Sequence, residues 1–346
     1  MSKPRSIAGK IIKILLFLLF FGGIVAAVAG WWLLYKPNVN TNTSSVLFIR
    51  TNATYQEVLD SLAKNGMIAS IKSFDLVARQ MNYPKKIQPG RYLLNANMSN
   101  RSVVNLLRSG QQTPVNISLD GLHTLTELVA AVHPLIEADS AQLATLLSDT
   151  AFLQQKNLNP TQLIGAFFAD TYQFNWNTSA EQFFDRMYKI YANFWTDENL
   201  EKAKALGLTQ FEANTLASIV TWETAKTDEM PKVARVYLNR LAKNERLHAD
   251  PTVIFAVGDF TIKRVTKNHT QINSPYNTYR NFGLPPGPVR TPNKAAMEAV
   301  LNPAEGDYMY FCAKEDFSGY HNFANTYQEH QINTQKYHDE LNRRGL

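Results

Sequence analysis

The chain has 346 residues, 45% of them apolar, and a formal net charge of +6, a length that holds two or three domains with cores of their own. Residues 1–36 hold five basic residues and no acidic one, leaving 30 basic against 29 acidic residues downstream; the excess is local, so no nucleic-acid partner is implied. The lone cysteine, Cys312, excludes an internal disulfide framework and suits an exported bacterial chain.

The first element is an uncharged apolar run over residues 14–35, long enough to cross a bilayer at roughly 20 residues per span. Lys3, Arg5, Lys10 and Lys13 precede it, and Trp31, Trp32 and Tyr35 sit where an interfacial aromatic belt lies. A cleaved signal peptide would have a shorter apolar core of about 7–15 residues ending in small residues. Ala26-Ala-Val-Ala29 offers those, but the aromatic residues that follow read as an anchor. The expectation is a cytoplasmic tail over 1–13, one uncleaved transmembrane helix over 14–35 and everything beyond it outside the cytoplasm.

Residues 36–45 read as a short polar linker. Residues 46–120 follow as a small α/β module. A strand at 46–49 leads to a helix capped by Thr54 and carrying Val58, Leu59 and Leu62. A second helix covers 71–81, Pro89-Gly90 turns into a strand at 91–94, and a helix around 103–107 ends at Gly110. This strand–helix–helix–strand order is that of glycan-binding modules of the LysM type, and equally that of an ordinary α+β packing domain. Residues 121–205 form a helical connecting region, with Leu128, Val132 and Leu135 on one face. Its stretch Gly165-Ala-Phe-Phe-Ala-Asp-Thr-Tyr-Gln-Phe174 reads as core or as the wall of a sugar cleft. Ser179 with Gln182 forms a capping box that opens the next helix.

Residues 206–346 carry the densest signals. In Leu216-Ala-Ser-Ile-Val-Thr-Trp-Glu-Thr-Ala-Lys226, the spacing of Leu216, Ile219, Val220 and Glu223 predicts a helix with the Glu223 carboxylate on its apolar face. Desolvation raises a carboxyl pKa and makes a general acid for neutral pH; a Glu at the rim of the stripe, reaching water or a cation, is the bland alternative. A helix over 231–243 buries Val233, Val236, Tyr237 and Leu241, with Asn239 and Arg240 at its end. Asp250 precedes a proline, which predicts an extended backbone. Five prolines and glycines within residues 283–288 make a stiff irregular loop. An apolar strand at 308–312 closes the pattern, before Gly319-Tyr-His-Asn-Phe323.

Taken in order, Ser218-Ile-Val-Thr-Trp-Glu-Thr224, Asp250-Pro-Thr-Val253, Tyr276-Asn-Thr-Tyr279, Gly283-Leu-Pro-Pro-Gly287 and His321-x-Phe323 closely resemble the motifs of the endolytic murein transglycosylases, the MltG or YceG-like family. The resemblance runs over nearly the whole chain. It implies an α+β protein with a single N-terminal transmembrane helix, a LysM-like module and a mixed α/β catalytic domain. It also implies a bacterial inner-membrane location, cleavage of nascent peptidoglycan strands as a terminator of elongation, and cell-wall synthases as partners.

The resemblance places the catalytic carboxyl at Glu223. Many members carry a second Glu two positions earlier, where this chain has Thr221, and a Glu-Gly and a proline where it has Ile164 and Ala169. Asn239, Asp250, Thr252, Tyr276, Asn277 and Tyr279 are the candidate hydrogen-bonding residues for acetamido groups and sugar hydroxyls, each of which also reads as a satisfied turn or cap. His321 reads as lining the cleft or orienting a neighbour. The histidines show no short paired spacing and no cysteine cluster, so neither metal nor cofactor is expected. Two other functions compete. One is a catalytically silent scaffold that binds glycan and recruits synthases. The other is a hydrolase, for which Asp250 is the one obvious second carboxylate.

Overall fold

The computed structural model describes residues 7–40 and 44–345 and divides into two compact units. Lys3 and Arg5 of the expected orientation signal, and 41–43 of the expected linker, lie outside the described residues.

The first unit holds the described residues up to Val115 together with 175–177. Helix α1 (Ile7–Tyr35) begins before the apolar run and includes Lys10 and Lys13. Among the described residues it is the one helix long and apolar enough to cross a membrane, with a mean hydropathy of 2.7. Then come β1 (Ser45–Ile49), α2 (Tyr55–Lys64), α3 (Ile71–Gln80), β2 (Gly90–Leu94) and α4 (Asn100–Ser109). Strands β1 and β2 pair antiparallel, Ser45 opposite Leu94 and Ile49 opposite Gly90.

Local chemistry sets the boundaries. Thr54 and Glu57 form a reciprocal capping box at α2, and Gly110 takes the left-handed conformation (φ 68°) that ends α4. Leu47, Leu62, Phe74, Leu94, Val103 and Leu107 form one dry core. Burying each such side chain contributes about 1.5–3 kcal/mol. Residues 38–40 of the expected linker are not free coil. Asn38 and Val39 both donate backbone N–H groups to Met98 O, Asn40 donates to Met67 O, and Ala69 donates to Asn38 O. Backbone pairing with the module orders a segment too polar and short to order itself.

The second unit holds residues 116–174 and 178–346. Its elements are β3 (Val115–Ser118), α5 (Leu125–Val132), α6 (Ser140–Ser148), α7 (Thr150–Gln155), β4 (Thr171–Phe174), α8 (Ala180–Phe194), α9 (Asp197–Ala205), α10 (Gln210–Glu223), α11 (Met230–Ala242), α12 (Asp250–Val257), α13 (Lys294–Leu301), β5 (Tyr310–Ala313), β6 (His321–Ala324) and α14 (Tyr327–Arg344). The strands form two small sheets, β3 with β4 and β5 with β6. The aromatic stretch before β4 belongs to the core, since Phe167, Phe168 and Phe174 are buried and Phe167 stacks on Phe183.

Helix α10 is the hub, packed by α9, α11, α12 and α13. It is not amphipathic, because residues 213–221 are all buried. Its hydroxyls are used instead to staple the stiff proline–glycine loop. Ser218 Oγ accepts the Val289 N–H at 3.0 Å, and Thr221 Oγ1 accepts the Asn293 N–H at 3.1 Å. Close packing demands glycine at Gly165, where a Cβ would stand 2.5 Å from Pro288 Cγ. Two departures from the sequence reading matter for the site. Asp250 is the first residue of α12 rather than extended, because Pro251 sits in the first helical turn, where its missing N–H costs nothing. Helix α14 follows β6 and has no buried residue, so no apolar stripe announced it.

Candidate functional site

Glu223 is the last residue of α10, and Thr224 leaves the helix in an extended conformation. A carboxylate there faces the negative end of the helix dipole, which disfavours its charged form. Helix α11 returns alongside and presents Tyr237, 2% exposed, whose hydroxyl donates to Glu223 Oε1 at 2.6 Å. The Glu223 carboxyl is pushed up to about 7. Burial is the main cause, the Tyr237 hydrogen bond opposes it, and the charge of Asp250 adds to it. Glu223 keeps some surface open to a cavity while protein atoms enclose its remaining sides, so desolvation and access coexist.

That cavity, about 350 Å³, is lined by Glu223, Tyr237, Arg240, His248, Asp250, Tyr279, Tyr310, Phe311, Tyr327 and His330, among others. Asp250 Oδ1 accepts the Tyr279 hydroxyl at 2.6 Å, and His248 stacks on the Tyr279 ring at 4.8 Å. His248 itself has a φ of 53°, a left-handed backbone that aims its ring back at Tyr279. Arg240 is a buried cation held by carbonyls, donating from Nε to Arg246 O at 2.8 Å and from Nη1 to Met309 O at 3.0 Å. Burial, aided by Arg240, pushes His248 and His330 below the ordinary histidine value, so both imidazoles are neutral at pH 7.

Of the eight residues singled out from the sequence, the cavity brings together Glu223, Asp250 and Tyr279. Thr252 is fully buried; its hydroxyl donates to Ala249 O at 2.7 Å and lies 2.8 Å from Thr278 Oγ1. Asn277, also fully buried, donates to Thr270 O and Ile272 O and accepts the Tyr279 N–H. These two amino acids build the turn that holds Asp250 and Tyr279. Asn239 donates its amide to Gly306 O and Tyr308 O, tying α11 to the chain before β5. Tyr276 packs on Phe255, ring centroids 4.6 Å apart.

His321 stands one layer behind the cavity. Its ring Nδ1 lies 3.0 Å from Glu229 Oε2, and its edge meets Phe311, which lines the cavity. Tyr237 was legible in the sequence only as a core residue of α11. The one signal was a polar tip on an otherwise aliphatic stripe. Tyr327 and His330 lie on α14 and had no signal.

The YceG-like family model matches residues 47–336. The chain belongs to that family. An endolytic murein transglycosylase of Bacillus subtilis (strain 168) is 30% identical over 336 residues, covering 92% of this chain and 91% of the relative. A protein of the same name from Streptococcus pneumoniae (strain D39) is 28% identical and covers 86% of this chain, which spans 59% of that longer relative. A crystal structure of a putative YceG-like protein from Listeria monocytogenes superposes with a TM-score of 0.56 at 26% identity, over 84% of this chain and 99% of that one. Thr221, two positions before Glu223, donates its hydroxyl to Ala217 O and accepts the Asn293 N–H, so it is tied into the packing of α10.

Proposed function

We propose that the chain is a membrane-anchored lytic transglycosylase that cuts peptidoglycan glycan strands between N-acetylmuramic acid and N-acetylglucosamine, with Glu223 as its single acid and base. The observation that carries this reading is the Glu223–Tyr237 pair, a carboxyl whose pKa is pushed up to about 7 in the wall of a cavity. The Tyr237 hydroxyl donates to Oε1, so the carboxyl proton resides on Oε2, free to be delivered. Glu223 protonates the glycosidic oxygen as the muramoyl C1–O bond breaks, and the departing sugar leaves as an alcohol. The muramoyl C6 hydroxyl then bonds to C1 and returns its proton to Glu223, closing a 1,6-anhydro ring. The nucleophile is part of the substrate, so neither water nor a second carboxylate enters the balance. Asp250, fixed by Tyr279, supplies negative charge for the oxocarbenium-like transition state.

The relatives' printed names, endolytic murein transglycosylase, support the reaction class, a lyase acting on peptidoglycan, and α1 supports the anchor. The remaining parts of the reading are an inner-membrane location with the N-terminus in the cytoplasm, a LysM-like glycan contact by the first unit, and termination of nascent strands beside their synthases.

One observation favours a second reading. Asp250 lines the same cavity as Glu223, as the second carboxylate of a hydrolase would. Digestion of isolated peptidoglycan with the full chain, read by mass spectrometry, separates the two. Anhydro products are lighter by one water than hydrolytic ones. Hydrated reducing ends would establish the hydrolase, and no release together with co-sedimentation of the chain with the peptidoglycan would favour a glycan-binding scaffold.

A further inference from the structure

The end of α1 is built into the first unit rather than hung from it. Leu33 and Leu34, in its last turn, pack against the core of the module. The carbonyl of Leu33, which no helical N–H can satisfy at a helix end, accepts the Asn100 side-chain amide at 3.0 Å from the start of α4. Asn100 is 2% exposed, and its Oδ1 accepts the Asn38 amide at 2.6 Å; Asn38 Oδ1 in turn accepts the Ser70 N–H at 2.9 Å. These amides fix α1 to both α3 and α4. The opposite face of the same turn is uncovered, with Trp31 63% and Trp32 51% exposed. Lys36 Nζ sits 3.9 Å over the Trp32 ring, and the exposed guanidinium of Arg101 donates to the Tyr35 hydroxyl.

Tryptophan and tyrosine at the end of a membrane helix settle at the level of the lipid headgroups. The contacts with the module come from that same helical turn, and a helix rises only about 1.5 Å per residue. We propose that the first unit lies at headgroup level as a rigid continuation of α1, and that Arg101 and Lys36 bind the phosphates of phospholipid headgroups there. A guanidinium has five N–H donors and Tyr35 uses one, leaving a fork suited to phosphate oxygens. The proposal rests on the reading of α1 as a membrane anchor, and turns it from a flexible leash into a fixed mount.

The test uses the full chain with Cys312→Ser, in lipid nanodiscs containing phosphatidylglycerol. Spin labels at Val28 and Ser109 should give one narrow distance distribution. A label at Ser102 should relax faster when a nickel-chelating lipid is present at the headgroups. Native mass spectrometry should find phosphatidylglycerol retained by the chain, and at least threefold less of it on the Lys36→Gln, Arg101→Gln variant, whose Val28–Ser109 distance confirms that it is folded. A chain that does not partition into the discs overturns the anchor itself. An anchored chain with a broad distance distribution, or with no extra relaxation at Ser102, overturns the mount while leaving the anchor standing. Equal lipid retention by the folded variant overturns the assignment of Arg101 and Lys36.

Discussion

The hydroxyl of Tyr237 donates to Glu223 Oε1 across 2.6 Å, joining the middle of α11 to the end of α10. This bond favours the ionised carboxylate and so works against burial, which favours the neutral acid. Tyr237→Phe removes the opposing influence. The Glu223 pKa then rises beyond about 7, and the alkaline limb of the kcat/KM profile moves to higher pH. The proton also loses its assignment to Oε2, so kcat should fall, by up to about 10²-fold for a misplaced group. An unmoved alkaline limb would separate Tyr237 from the acid.

Glu223→Gln keeps the shape and cannot deliver a proton, so activity should drop by at least about 10²–10⁴-fold. Stability supplies a second readout with a definite sign. The folded carboxyl titrates at about 7 and the unfolded one at 4.5. Between those values the folded chain binds the proton and the unfolded chain does not, so wild-type stability falls as pH rises, by at most about 1.4 kcal/mol per unit. The variant lacks this slope. Its melting temperature relative to wild type should therefore climb from pH 4.5 to pH 8; a constant difference would contradict a desolvated Glu223.

Asp250→Asn separates the two chemistries. Under the lytic scheme it removes transition-state stabilisation, costing about 10²-fold in kcat, while the products remain anhydro sugars. It also removes a charge that raises the Glu223 pKa, so the alkaline limb should move down, opposite to Tyr237→Phe. Complete inactivity in a folded variant, together with hydrated products from wild type, would place Asp250 in a hydrolytic pair.

Ser218→Ala leaves the Val289 N–H buried without its acceptor, because the Ser218 hydroxyl is fully buried against the stiff loop. Urea unfolding should report a loss of about 1–3 kcal/mol. Ser218 does not line the cavity, so the pH profile of the folded variant should match wild type.

Much of this molecule was legible in the chain itself, because the deciding interactions were local. Capping boxes at Thr54 and Ser179, the glycine ending α4 and the apolar run of α1 are written within a few neighbouring residues. The order of motifs was equally readable and pointed to the family that the model match then showed. Glu223 was singled out by its spacing from Ile219 and Val220, yet the premise of one apolar face does not hold, since α10 is buried all round. What isolates the carboxyl is its place at the end of a central helix, facing α11 and α12.

Only tertiary structure could decide the rest. Tyr237 meets Glu223 because two helices pack, and Asp250 meets Tyr279 across 29 residues of chain. The same long-range geometry assigns Thr252 and Asn277 to scaffolding and turns residues 37–40 from a linker into a backbone-paired part of the first unit. A side chain's partner depends on which elements touch. Local propensity holds no information on that, because a hydrogen bond is short-ranged and its two ends are fixed separately by packing.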